Sequence, residues 1–327
     1  MIVVTGASGL VGANLVRALL DAHQRVRVVV HRESAAFQGL KVEQVKADLR
    51  DPDSLSHAFS HADLVFHLAG LITVSGSDWT QAEQVNTLGT RNVVDACLKN
   101  KVNRLIHFSS IEALQQKPRS VPVTDDSPLV ISNEAPPYAR SKAAAEMEVQ
   151  SGIQRGLDAI LVRPTAIVGP YDFKPSLLGQ AIIKLASGHM PFLVTGGFDW
   201  VDVRDVVSAT ILAARKSTCG QSYILSGHWH SIKEMAQMLC DLGCKRTTRI
   251  VFPRIAAYPF APFMEWAAKI QHSEPVYTRV SLCTLNSNHV ISHVRATQDL
   301  GYQPRPTTDT LADTLHWFIE KNYLRIN

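Results

Sequence analysis

Over the first half of the chain, short apolar runs alternate with helix-like stretches, and this order constrains the fold more than any other feature. "IVVTG" is followed by "ANLVRALLDA", "VRVVV", "VEQVKAD", "DSLSHAFS", "DLVFHLAG", "EQVNTLGTRNVVDACLKN", "RLIHFSS", a helix beginning near Tyr138, and "AILVRP". Near-continuous Val, Ile and Leu runs suit strands covered on both faces, and strands separated by helices pair in parallel through crossovers. The expected fold class is α/β, a doubly wound parallel sheet with a smaller C-terminal substrate lobe. The alternation breaks after Pro164, where "VGPYDFKPSLLGQ" is rich in Pro and Gly. Residues 1–164, with returning elements at about 202–226, are expected to form the dinucleotide-binding domain, and residues 165–201 and 227–327 the substrate lobe.

Composition removes several function classes. With 46% hydrophobic and 19% charged residues in 327, the chain can bury a large core and is neither disordered nor fibrous. Its formal charge of +4 is interspersed, without a Lys/Arg run, so no nucleic-acid partner is expected. The opening "MIVVTG" lacks a basic segment or cleavage pattern, and "IAAYPFAPFM" (255–264) is short and carries Pro259 and Pro262, so no membrane span is expected. Five cysteines, at 97, 219, 240, 244 and 283, form no even framework and read as reduced cytoplasmic thiols. "HWH" (228–230) has no further ligands at zinc spacing; the following "SIKE" reads as a capping box opening a helix at Ser231, and no metal is expected.

"TGASGLVGANL" sets Gly6, Ser8, Gly9, Leu10, Val11 and Gly12 at the turn from the first strand into the first helix. Glycines there let backbone approach a pyrophosphate, which meets free N–H groups at the positive end of the helix. Its spacing departs from G-x-G-x-x-G and a plain structural turn would explain it, but its place after the first strand of an alternating pattern makes a cofactor loop the expectation. An NAD site usually places a carboxylate at the end of the second strand; here "VRVVVHRE" offers His31 and Arg32. A guanidinium suits a 2′-phosphate, so NADP is the expected cofactor and NAD the alternative, with a solvated loop arginine as the plain structural reading and Glu33 as an opposing charge.

In "YARSK", Tyr138 and Lys142 stand one helical turn apart on a segment that starts at Pro136–Pro137 and is expected to stop at Gly152. A surface pair would explain them equally well. As a proton donor and its electrostatic tuner, however, they would share one face, the ammonium lowering a phenol whose free pKa is ~10. "RLIHFSS" ends at Ser109 and Ser110, and strand C-terminal ends are where an open parallel sheet meets its ligands.

Together, "TGASGLVG", "ADLRD", "HLAG", "VNTLGTRNV", "FSS", "YARSK", "RPTAIVGP" and "LGYQPRP", in this order and spanning nearly the whole chain, resemble the extended short-chain dehydrogenase/reductase family. "VRVVVHRE", "RPTAIVGPYDFKP" and "MPFLVTGGFDWVDVRDVV" are most similar to its dihydroflavonol-reductase-like branch and bacterial relatives, hopanoid-associated sugar epimerases among them. The resemblance implies that Asp48 and Leu49 flank the adenine, that Leu68, Ala69 and Gly70 line the adenosine side, and that Pro164 and Thr165 border the nicotinamide. It puts the catalytic hydroxyl at Ser110 with Ser109 as the fallback, otherwise a cofactor-side residue bonding nearby backbone, gives Lys142 the nicotinamide ribose, and places Asn86 near the active site or, equally, at a helix end.

Three functions compete. An NADP-dependent oxidoreductase acting on a ketone, aldehyde or alcohol uses Ser110, Tyr138 and Lys142. A sugar-nucleotide epimerase or dehydratase with tightly held NAD is disfavoured by Ile111, where dehydratases carry Asp before Glu112, and by Ala166, where many epimerases carry Asn. A non-enzymatic dinucleotide sensor would not need the Tyr–Lys pair. The substrate is expected to be a small molecule, apolar if "FPRIAAYPFAPFMEWAAKI" lines its pocket rather than a core. The Asn86 and Tyr138 helices, with Ala143, Ala144 and Ala145, resemble the family's homodimer contact.

Overall fold

The protein was analysed as a computed structural model that describes residues 1–32, 34–73, 79–190, 192–245, 250–260 and 278–325. Seven strands form its main sheet: β1 (Ile2–Thr5), β2 (Val26–Val30), β3 (Glu43–Lys46), β4 (Leu64–His67), β5 (Arg104–Phe108), β6 (Ala159–Pro164) and, after three strands of other sheets, β10 (Ser222–Leu225). Their spatial order is β10-β6-β5-β4-β1-β2-β3, and every pairing is parallel. The chain walks outward from β1 to β3, then returns to place β4 on the other side of β1. This reversal leaves a crevice beyond the C-terminal ends of β1 and β4, the position where such sheets bind ligands.

Both faces of the sheet are covered. Helices α1 (Leu10–Asp21) and α7 (Val203–Lys216) close over Val4, Phe66, Ile106 and Ile160 on one side. On the other, α2 (Pro52–Ala58), α4 (Gly89–Lys99) and α5 (Pro137–Gln154) bury Val3, Val65, Leu105 and Leu161. Local sequence sets the helix starts: Asp51 accepts from the N–H groups of Asp53 and Ser54 with Pro52 in the first turn, and Pro137 opens α5.

Two helices differ from the sequence expectation. The stretch expected as one helix from Glu83 is a short α3 (Trp79–Ala82), a π-helical turn over Glu83–Leu88, and then α4. Helix α5 does not stop at Gly152, which is buried against α4; a Cβ there would lie 2.6 Å from a Val94 methyl. Gly152 is a packing glycine, and the left-handed turn that ends the segment falls at Gly156, φ +95°.

Beyond the main sheet, β7 (Ala166–Val168), β9 (Gly197–Asp202) and β11 (His228–Ser231) form a three-stranded sheet, and β8 (Leu193–Val194) pairs with β12 (Val251–Phe252). A second core of Ile182, Leu185, Trp200, Met235, Leu311 and Phe318 joins this sheet to α6 (Leu177–Ala186), α8 (Ile232–Asp241) and the helix Thr307–Glu320. "HWH" is strand β11, and Ser231 and Glu234 form the expected capping box at the start of α8. No described helix is long and apolar enough to cross a membrane.

Candidate functional site

The glycine turn brings three segments together. Gly6 sits at φ +67°, and a Cβ on it would meet the Ala69 nitrogen at 2.5 Å, so the chains leaving β1 and β4 touch backbone to backbone. A Cβ on Gly12 would be 2.4 Å from the Gly6 carbonyl, whereas one on Gly9 would meet nothing closer than 3.5 Å. Gly6 and Gly12 are thus demanded by the protein's own packing. Gly9, exposed at the first turn of α1, is not, and no side chain caps that helix. Ser8, Leu10 and Val11 lie on the same open turn. Uncapped N–H groups and an open glycine fit a phosphate-bearing ligand.

Behind this turn runs a chain of oriented hydrogen bonds that sequence reading missed. Thr90 donates to the Asn86 carbonyl at 2.6 Å, so its oxygen accepts from His67 Nε2 at 3.0 Å. His67 Nδ1 then accepts from Thr5 at 2.8 Å, and the Thr5 oxygen accepts from the Ala69 N–H at 3.3 Å. Burial, with a smaller contribution from Lys142, pulls the His67 pKa down to about 3, so the ring stays neutral. The signal in the sequence was two histidines, His67 and His107, at matching positions of neighbouring apolar strands.

Asn86 is not a group free to meet substrate. Its Oδ1 accepts from the Leu71 N–H at 2.7 Å, and its Nδ2 donates to the Leu71 carbonyl and the Ser141 hydroxyl, each at 2.9 Å. It positions the chain after β4 instead. Gly70 completes the contact: a Cβ there would lie 3.2 Å from Asn86 Oδ1 and 3.3 Å from Lys142 Nζ. Leu68, Ala69 and Gly70 therefore line the crevice between the glycine turn and Lys142.

Helix α5 carries Tyr138 and Lys142 to the C-terminal edge of β5. Lys142 is buried and donates to the Phe108 carbonyl at 2.8 Å; burial pulls its pKa down to about 8, partly offset by Glu146. The Ser110 side chain lies near enough to the Tyr138 phenol to act on its titration. Burial pushes the phenol up to about 12, with Ser110 lowering it and Glu112 raising it, so the expected depression by Lys142 is not found. The ammonium is turned to the Phe108 carbonyl rather than spent on the phenol. Ser110 also accepts from the Glu112 N–H at 3.2 Å. The Ser109 hydroxyl, expected to bond nearby backbone, is buried without a partner in the protein, and only its N–H pairs, with Val162 O at 2.8 Å.

At the far end of the crevice, His31 and Arg32 are exposed beside an open cleft of about 600 Å³ that Ser34, Gln38, Gln44 and Lys46 also line. Lys46 escaped sequence reading, although β2–β3 pairing sets it opposite Val30. Glu33 lies outside the described residues. Asp48 is claimed by Arg50 through contacts of 2.6 to 3.2 Å, which hold its carboxyl down at about 2, and His31 stands 3.7 Å away. Leu49 is buried, packs where α4 begins, and has its carbonyl held by Asn92 at 2.8 Å.

Pro164 ends β6 beside Leu225, and Thr165 donates to Asp199 on β9 at 2.6 Å. The same carboxylate oxygen accepts from the Gly227 N–H at 2.6 Å, stitching the two sheets together at this edge. Of the segment weighed as a pocket lining (252–270), residues 261–270 lie outside the described part, and Phe252, Ile255 and Tyr258 are solvent-exposed. Ala143 and Ala145 are buried within the subunit, leaving Ala144 nearer the outer face of α5. Among the described residues no cluster of His, Cys, Asp and Glu could hold a metal.

Known proteins match this arrangement along the whole chain. The model of the NAD dependent epimerase/dehydratase family matches residues 2–225. The chain is similar to sterol demethylase protein B of Methylococcus capsulatus, 34% identical over 98% of this chain and 99% of that protein. A putative dihydroflavonol 4-reductase of Synechocystis is 28% identical over 98% and 95% of the two chains. The crystal structure of gox2253 superposes with a TM-score of 0.86 at 33% identity, covering 99% of both chains.

Proposed function

Because the chain belongs to the NAD-dependent epimerase/dehydratase family, as an NAD(P)-dependent oxidoreductase of the extended short-chain type, we propose that it reduces a ketone or aldehyde, or oxidises the matching alcohol, with NADP as cofactor. The observation that carries this reading is the gathering of Ser110, Tyr138 and Lys142 at the C-terminal edge of β5, with the Lys142 ammonium held on the Phe108 carbonyl. Ser110 directs its hydroxyl at the substrate oxygen and polarises the carbonyl. Tyr138, held protonated by burial, donates to the same oxygen as negative charge develops. Lys142, whose ammonium rests on the Phe108 carbonyl, serves the nicotinamide ribose and, once the proton has left, the phenolate. When bound, the reduced nicotinamide supplies the hydride.

Gly6 to Gly12 hold the pyrophosphate on free N–H groups, Pro164 and Thr165 border the nicotinamide, and Arg32 and Lys46 receive the 2′-phosphate. Two cations line this cleft with no carboxylate among its described lining residues, and the nearby Asp48 is neutralised by Arg50, which supports NADP over NAD. The relatives named for sterol and dihydroflavonol chemistry support an apolar substrate, taken up by residues 165–201 and 227–327. The outer face of α4 and α5, where Leu88 and Met147 are exposed, forms a homodimer in this reading; a monomeric mass by light scattering at micromolar concentration would remove that part. Mass spectrometry of the cofactor released from purified protein, followed by a screen of carbonyls and alcohols with it, tests the whole. Tightly retained NAD with no net redox turnover would favour the epimerase reading, to which the half-buried Glu112 near Tyr138 lends support.

A further inference from the structure

Helix α5 carries a third ionisable side chain on the stripe that holds Tyr138 and Lys142. Glu146, one turn beyond Lys142, has no exposed surface and gives both carboxylate oxygens to Arg163 on β6, at 2.9 and 2.7 Å. Arg163 is itself buried and donates through Nη1 to the Asp125 carbonyl at 2.9 Å and to Ser222 on β10 at 3.0 Å. A buried ion pair is a poor way to gain stability, because apolar replacements of similar volume are often as good or better. Its position therefore calls for a different account, and the neighbouring ammonium supplies one.

The titratable groups around Lys142 come from every element packed on it. His67 projects from β4 and His107 from β5, and burial together with Lys142 holds both rings neutral. Arg163 comes from β6, while Tyr138 and Glu146 share the helix; Glu112 acts on Tyr138. Asn86 and the Phe108 carbonyl contribute dipoles only. Glu146 is thus the anion that acts on Lys142.

We propose that Glu146 is a positioning residue for Lys142: its carboxylate keeps the buried side chain in the ammonium form through the neutral range, and Arg163 fixes that carboxylate in place and moderates its field. The inference rests on the reading of Lys142 as the group that serves the ribose and the phenol. It extends the working stripe of α5 from two residues to three, at positions i, i+4 and i+8, and reaches across to β6.

The test titrates Lys142 itself, in dinucleotide-free protein, through its side-chain NMR resonances from neutral to alkaline pH. From about 8, Glu146→Gln should lower the midpoint by at least about 1 unit, and Arg163→Gln should raise it, since the carboxylate is left with Lys142 as its cation. Both substitutions break the same salt bridge, so mere packing damage would act alike in both; opposite signs are the signature of an electrostatic role. Dinucleotide affinity should be lost at lower pH in Glu146→Gln than in the wild type. Shifts of the same sign, or none, would overturn the proposal. If a single variant does not fold, the E146M/R163M pair removes both charges together, and its Lys142 midpoint should still fall; an unchanged midpoint counts equally against the idea. Full turnover in Lys142→Met would sink the catalytic reading while leaving the titration result standing. Lost turnover in Lys142→Met with no titration shift in Glu146→Gln would sink this inference alone.

Discussion

The two ends of the crevice are built on opposite terms. Around Tyr138, side chains are buried and tied: Asn86 to Leu71 and Ser141, Lys142 to Phe108, Glu146 to Arg163, and His67 between two threonines. Around Arg32, the cations stand in solvent beside an open cleft, and the one firmly held group is Asp48, fixed by Arg50. On the proposed reading, geometry is fixed by burial where a proton moves, and discrimination is left to exposed charges that a ligand can gather. Substitutions at the buried end should therefore change rates, and those at the open end should change affinities by smaller amounts.

The sharpest break would come at Tyr138. Tyr138→Phe keeps the ring but removes the proton, so turnover should fall at least about 10³-fold while dinucleotide affinity stays within about twofold; near-native rates on a substrate the wild type reduces would make the tyrosine a packing residue. Next, Ser110→Ala should cost about 10²-fold in rate, the scale of a lost oxyanion donor, and Ser109→Ala less. Equal losses at the two serines, by steady-state kinetics, would erase the distinction between them. With the phenol up at about 12 and Lys142 at about 8, the ammonium is the group that changes first as pH rises. Dinucleotide affinity should accordingly hold below that value and decline above it, and a fall on the acid side instead would contradict the assignment.

At the open end the effects shrink. Arg32→Ala should weaken NADPH about tenfold and leave NADH unchanged, because a charge-assisted contact made in solvent is worth less than a buried one. Equal wild-type affinity for the two dinucleotides in a fluorescence titration would refute the 2′-phosphate reading. Asp48→Asn should do least, within about threefold on either dinucleotide, since it loosens an exposed Arg50 contact.

How much of this the sequence discloses follows the same division. The parallel sheet was legible because β1, β2 and β6 are mainly apolar runs, broken only by Arg27 and Arg163, between amphipathic helices, and periodicity reports burial directly. The Tyr138–Lys142 pair was legible because helical spacing alone puts both on one face. What Asn86 does was not, since its partner Leu71 is reached through backbone atoms that no residue pattern marks. Gly152 was misread as a stop because a close helix contact and a left-handed turn ask for the same residue. Lys46 and Glu146 were missed for another reason: each matters through a neighbour on a different strand, Val30 on β2 or Arg163 on β6, and that adjacency exists only once the sheet has formed.

The amide of Asn86 carries a last consequence, for how this protein ages. Deamidation replaces an NH₂ that donates to the Leu71 carbonyl and to Ser141 with an oxygen that can only accept, so one hydrolysed amide would set like against like at the floor of the crevice. It would also place a new negative charge close to Lys142, whose ammonium lies near the same Gly70. Burial inside a helical turn keeps water and a mobile backbone away from this side chain. The packing that gives the site its shape is thereby also what protects it from slow chemical wear.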